Sequence, residues 1–121
     1  MKSAVIILGH GSRSAGADRS IQRIVAEVKK RGEYEIVEQA FLQHTPPALM
    51  ETIEACAHRN AGRIVIVPFF MQSGAHVTKD VPAIIEQARK NHPGVEILMT
   101  DFVGSHPLMA GIVLDLIVKA K

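Results

Sequence analysis

Apolar residues gather into four short runs along the chain: "SAVIIL" at 3–8, "YEIVEQAFL" at 34–42, "RIVIVPFF" at 63–70 and "VEILMTD" at 95–101. Runs of this length, rich in β-branched residues, predict strands. The first and third are almost unbroken, the pattern of central strands covered on both faces. The second is interrupted by Glu35 and Glu38, which marks a sheet edge.

Between the runs the period changes from two to about 3.6. Ile21, Ile24, Val25 and Val28 form one helical stripe, and Leu49, Ile53, Cys56 and Ala57 a second. Pro46 and Pro47 are placed in the first turn of that second helix, where proline is tolerated. A third helix is expected from Asp80 to Lys90, stopping at "NHPG", and a fourth after "GSHP" with Ser105 as its cap. The order βαβαβαβα with short connections predicts an α/β fold: a single three-layer domain over 1–121, with a four-stranded parallel sheet flanked by helices. In "IVLDLIV", 112–118, only Asp115 is polar. A helix covering one sheet face needs only a stripe, so this helix is expected to bury a second face against another copy of the chain.

Composition removes several functions. The 121 residues carry a formal net charge of +2, their basic residues are scattered, and the chain has one Tyr and no Trp. Neither a nucleic-acid footprint nor a base-stacking platform is indicated. The one basic cluster, Lys29-Lys30-Arg31, falls where a helix C-terminus is expected and complements its dipole. Mild basicity favours a small acidic ligand. Cys56 is the only cysteine, which excludes an intrachain disulfide and a thiolate cluster; its setting reads as core. The start "MKSAVIILGHG" is too short an apolar run for a signal peptide, and no window approaches a membrane span. A cytoplasmic location is expected, without membrane or nucleic-acid partners.

The histidines carry the candidate chemistry. Ligands of open parallel sheets bind outside the carboxyl ends of the strands. His10, His44, His76 and His106 each follow one of the four runs, whereas His58 lies on a helix and His92 in a turn. His10 sits between two glycines in "LGHGSR", which permits tight turning and close ligand approach. The same turn could cradle an anion on backbone N–H groups, although it lacks the Walker lysine and a GxGxxG pattern. His76 precedes Asp80 by four residues; the carboxylate can orient the imidazole and can complement a helix N-terminus, and the two readings are compatible. His44 and His106 precede proline-marked helix starts, where a polar residue is also an ordinary cap. Imidazoles without thiolates suit Co, Ni, Fe or Zn, and neutral imidazole can accept a proton near pH 7.

Three stretches, "ILGHGSR", "AFLQHTPP" and "VPFFMQSGAHVTKDVP", together with "GSHPLM", resemble the class II chelatases of tetrapyrrole biosynthesis, and among them the short-form sirohydrochlorin cobaltochelatases. The resemblance spans nearly the whole chain. It implies a half-unit of the two-lobed chelatases that works as a homodimer, with a macrocycle cleft between subunits. It also implies ATP-independent insertion of a divalent metal, Co²⁺ foremost with Fe²⁺ or Ni²⁺ as alternatives, into sirohydrochlorin for cobalamin synthesis. No tightly bound cofactor is implied; the metal is a substrate. The two motif histidines map onto His10 and His76 as metal ligands and proton acceptors. Gly9, Ser12, Arg13, Gln43, His44, Ser73, Gly74 and Lys79 fall on the surrounding motif positions as substrate contacts, and Asp80 stands behind His76. Gln43 departs from the pattern, since many members carry glutamate there; its proton work would fall to the histidines, Glu38 or the partner subunit. Two other readings use the same residues: a histidine-based metal carrier, and a phosphate-ligand enzyme built on Gly9–Ser12.

Overall fold

The computed structural model describes residues 1–11, 19–72, 74 and 79–120. Its elements follow the expected alternation: β1 (Lys2–Gly9), α1 (Arg19–Arg31), β2 (Ile36–Phe41), α2 (Leu49–His58), β3 (Ala61–Pro68), α3 (Val81–Asn91), β4 (Glu96–Met99) and α4 (Leu108–Lys119). A single turn of 3₁₀ helix, Val103–Ser105, precedes α4. All strand pairs are parallel, in the order β2-β1-β3-β4. The two unbroken apolar runs are therefore the central strands, and the Glu-interrupted run is an edge. β2 begins two residues later than its apolar run, at Ile36. Glu35 instead accepts a hydrogen bond from the Ser3 N–H at 2.9 Å.

The strand order fixes which helix lies where. Chain path β1 to β2 runs one way across the sheet, while β2 to β3 and β3 to β4 run the other. Right-handed crossovers then put α1 on one face and α2 with α3 on the opposite face. Side chains obey this division. Ala4, Ile6 and Leu8 of β1 join Ile64 and Ile66 of β3, Leu49 and Ile53 of α2, and Val81 and Ile85 of α3 in the larger core. Val5 and Ile7 point the other way and meet Ile21 and Val25 of α1 together with Val37 and Phe41 of β2. Burying such side chains contributes about 1.5–3 kcal/mol each, which makes the two faces of β1 the main source of cohesion.

Polar groups secure the margins. Arg89 of α3 donates twice to the Ile97 carbonyl of β4, at 3.2 and 2.7 Å, covering part of an exposed sheet edge. His92 Nε2 lies 2.7 Å from Glu54 Oε2 and ties the end of α3 to α2, so this histidine is structural, as its turn position implies. Lys29, Lys30 and Arg31 occupy the last turn of α1, and Gly32, at φ 70°, donates to the Lys29 carbonyl at 3.1 Å. Cys56 is buried and unbridged. Burial, helped by the Glu38 carboxylate and opposed by Arg59, pushes its thiol up to about 11. In the folded protein at pH 8, a thiol reagent should therefore react at least roughly 100-fold more slowly than with a free cysteine. Denaturant should restore the full rate.

Three local expectations are corrected. Pro46 and Pro47 lie before α2, not in its first turn: the bond between them is cis, and the Pro47 carbonyl accepts the Phe41 N–H at 2.9 Å. The helix starts at Leu49, with Glu51 Oε1 accepting the Ala48 N–H at 3.2 Å. Ser105 does not cap α4, because its hydroxyl donates to the Phe102 carbonyl; the Leu108 N–H is satisfied by His106 Nδ1 at 3.1 Å. Finally, α4 does not cover the sheet. None of its residues is buried, so the face that carries α1 is only half covered. No helix among the described residues is long and apolar enough to cross a membrane.

Candidate active-site edge of the sheet

Four chain segments meet beyond the carboxyl ends of the strands, and backbone hydrogen bonds continue the sheet into them. Leu42 N–H donates to the Gly9 carbonyl at 3.1 Å and Gln43 N–H to the His10 carbonyl at 3.2 Å. Phe69 N–H donates to Leu8 at 2.7 Å, Thr100 N–H to Ile66 at 3.0 Å, and Gly104 N–H to Phe70 at 2.9 Å. The edge is thus an ordered shelf. The strand order reverses between β1 and β3, which is the crevice where open α/β sheets hold ligands.

His10 stands at that crevice. Its side chain is exposed, and its ring meets the buried Phe70 ring edge-on, with centroids 5.2 Å apart and planes at 71°. The glycines beside it are there for packing. A Cβ on Gly9 would lie 3.0 Å from Ile21 Cδ1 and from Phe41 Cε1. Gly11 has φ 92°, and a Cβ there would overlap the Gln43 carbonyl oxygen at 1.6 Å. Close contact between these two backbones therefore holds His10 beside the Gln43–His44 turn. His44 itself adopts φ 65°, a left-handed conformation uncommon for a residue with a side chain and found disproportionately at binding sites. Thr45 N–H closes that turn on the Gln43 carbonyl at 2.7 Å.

Of the residues expected to form the site, Gly9, His10, Gln43 and His44 are brought together in this way. Gly74, Lys79 and Asp80 lie at the approach to α3, and all three are exposed. The Asp80 side chain stands at the N-terminus of α3 without a capping hydrogen bond to it. Among the described residues nothing would come within 4 Å of a Cβ on Gly74, so packing does not demand glycine there. Ser12, Arg13, Ser73 and His76 lie outside the described residues. His106 serves the backbone of α4 through Nδ1. Glu38 is three residues short of the carboxyl end of β2, paired with Arg59 at 3.1 Å, and is therefore not part of the ligand edge.

Sequence reasoning passed over Thr100 and Asp101. They follow β4 directly and line a pocket of about 470 Å³ with Val67, Phe102, Ser105 and His106. The signal was available, since Asp101 stands just past its strand as His10 does past β1. Among the described residues no three His, Cys, Asp or Glu side chains converge on one point. The edge thus offers an exposed imidazole on a rigid support.

Comparison with known proteins places this arrangement. The chain is 32% identical over 111 residues to the chloroplastic sirohydrochlorin ferrochelatase of Arabidopsis thaliana, covering 92% of this chain and 49% of that protein. It is 25% identical over 122 residues to the sirohydrochlorin cobaltochelatase of Methanococcoides burtonii, covering 94% and 93%. Among solved structures, the sirohydrochlorin chelatase SirB from Bacillus subtilis subspecies spizizenii, in complex with cobalt, superposes with a TM-score of 0.87 at 26% identity, over 98% of this chain and 50% of SirB. The chain covers nearly all of the Methanococcoides protein but about half the length of other curated relatives, 49% of the Arabidopsis protein among them. A family model described as CbiX matches residues 4–120, and the chain belongs to the CbiX family.

Proposed function

We propose that this chain inserts a divalent metal, Co²⁺ foremost, into sirohydrochlorin without ATP. The observation that carries the reading is His10: an exposed imidazole, fixed by the Gly11–Gln43 backbone contact, at the switch point of a CbiX-family sheet. Insertion requires the metal to shed water and two pyrrole N–H protons to leave. His10, with His76 as the second imidazole, receives the metal and accepts protons. An imidazole pair holds the metal less tenaciously than thiolates and can pass it on to the ring nitrogens. Asp80 orients His76. Gly9, Ser12, Gln43, His44, Ser73 and Gly74 line the macrocycle, and Arg13 and Lys79 pair with its carboxylates. A second copy supplies the opposing wall, and the reaction takes place in the cytoplasm. Cobaltochelatase and ferrochelatase relatives both support the substrate, and Fe²⁺ is the first alternative metal.

A chelatase binds the macrocycle itself, whereas a metal carrier binds only the ion. Titrating metal-free sirohydrochlorin with the protein and following the fluorescence of the macrocycle separates them. Saturable binding without metal is expected. Absence of binding, with Co²⁺ still retained by the protein, would replace the chelatase with a carrier.

A further inference from the structure

His44 holds a backbone conformation that glycine or asparagine would adopt at less cost, with φ at 65°. Asn60, the other residue with a side chain and a positive φ among those described, follows that preference. The turn that carries His44 is fixed on both sides. Thr45 N–H donates to the Gln43 carbonyl at 2.7 Å, and the Pro47 carbonyl accepts the Phe41 N–H at 2.9 Å. The turn is also fastened to the end of β1, where Gln43 N–H donates to the His10 carbonyl at 3.2 Å. Gly11 packs directly on the Gln43 carbonyl. Two exposed histidines, His10 and His44, therefore stand on adjoining, rigid backbones at one sheet edge.

We infer that His44 is a metal ligand beside His10, so that the incoming divalent ion is held by imidazoles from the ends of both β1 and β2. The inference rests on the proposed chelatase reading and extends it, since there His44 only lines the macrocycle. Neighbouring strands lie about 4.8 Å apart and metal–imidazole bonds are about 2.1 Å long, so imidazoles on adjoining backbones can share one ion. The surrounding residues narrow the choice of ligand. Gln43, Thr45, Pro46 and Pro47 bring no charge to the turn. A substrate carboxylate gains more from Arg or Lys than from a neutral imidazole, whereas neutral imidazole is the commonest ligand of borderline divalent metals. Neutral nitrogen ligands also leave the ion its full charge, so that it is still drawn to an anionic macrocycle. A ligand held in place by its turn loses little freedom when the ion binds, which offsets the cost of its left-handed backbone.

Titration with Co²⁺ in the absence of macrocycle tests this, using wild type, His10→Ala, His44→Gly and His58→Ala and the visible absorption of the bound ion. Glycine accepts the backbone of residue 44 without strain, so His44→Gly should fold and melt no lower than wild type. His44→Gly and His10→Ala should each bind Co²⁺ at least about tenfold more weakly than wild type, the least that disturbing a ligand set costs. His58→Ala, altered on α2 away from the edge, should bind as wild type does. In ¹⁵N-labelled wild type the ring resonances of His44 should show contact shifts from Co²⁺, which require a metal–nitrogen bond. Unchanged Co²⁺ affinity in folded His44→Gly overturns the inference, as does the absence of those shifts. A wild type that binds no Co²⁺ without macrocycle overturns it too. Should His44→Gly lose affinity for sirohydrochlorin alone, His44 is a macrocycle contact, and the inference falls while the chelatase reading stands. Failure of that reading shows separately, as wild type that retains Co²⁺ but does not bind sirohydrochlorin.

Discussion

Replacing His10 with alanine should lower the rate of metal insertion into sirohydrochlorin by about 100-fold or more, the range for loss of a positioned proton acceptor. The fold should survive, because the side chain is exposed and meets the buried Phe70 ring only edge-on. Losing that contact costs about 1 kcal/mol. The rate is read from the change in macrocycle absorption, and stability from thermal denaturation. His58, exposed at the far end of α2, provides the control, and His58→Ala should insert metal at the wild-type rate. A folded His10→Ala protein with full activity would remove His10 from the mechanism.

The second large effect is on folding. Gly11→Ala should destabilise the protein by roughly 2–4 kcal/mol, because a left-handed backbone and a direct overlap with a carbonyl act together. The overlap cannot be relieved by a rotamer change, since the obstructing atom is the Gln43 main-chain oxygen at 1.6 Å. Relief requires the 42–48 turn to move, which displaces His44 and breaks the Gln43–His10 hydrogen bond. The melting temperature should fall by about 10 °C, and insertion should be slower even well below it. Gly74→Ala provides the contrast. With nothing near its Cβ among the described residues, its melting temperature should stay within about 2 °C of wild type, while affinity for the macrocycle falls. Equal destabilisation by both substitutions would contradict the distinction drawn between a packing glycine and a ligand-facing one.

Much of this architecture is written in local pattern. The runs at 3–8 and 63–70 are apolar at nearly every position because β1 and β3 are covered on both sides, whereas Glu38 betrays an edge because one side of β2 reaches water. Helix positions follow from the same periodicity. What pattern could not supply were contacts made across long separations. The pairing of Glu54 with His92 spans 38 residues and depends on how α2 meets α3. The need for glycine at 11 comes from a carbonyl 32 positions away in the chain. Pro46 and Pro47 read as a helix start because proline is common there, yet the turn they form folds back onto Phe41. Ser105 lost the capping role to its neighbour His106, since the 3₁₀ turn commits the serine hydroxyl to Phe102.

The site was legible in a different way. No local rule makes a histidine catalytic, but four of them at strand ends gain meaning once the sheet is parallel. His10 and the Gln43–His44 turn then share one edge, and the fold turns a list of positions into a place. The apolar excess of 112–118 was equally legible, and in the fold α4 leaves those side chains exposed.

One measurement tests the central claim most directly. Under anaerobic conditions, purified protein is mixed with sirohydrochlorin and Co²⁺, Fe²⁺ or Ni²⁺ in turn, and the absorption of the macrocycle is followed against a protein-free reaction. The account predicts insertion faster than the uncatalysed rate, with Co²⁺ the preferred metal. No acceleration with any of the three metals, from folded protein, would contradict it.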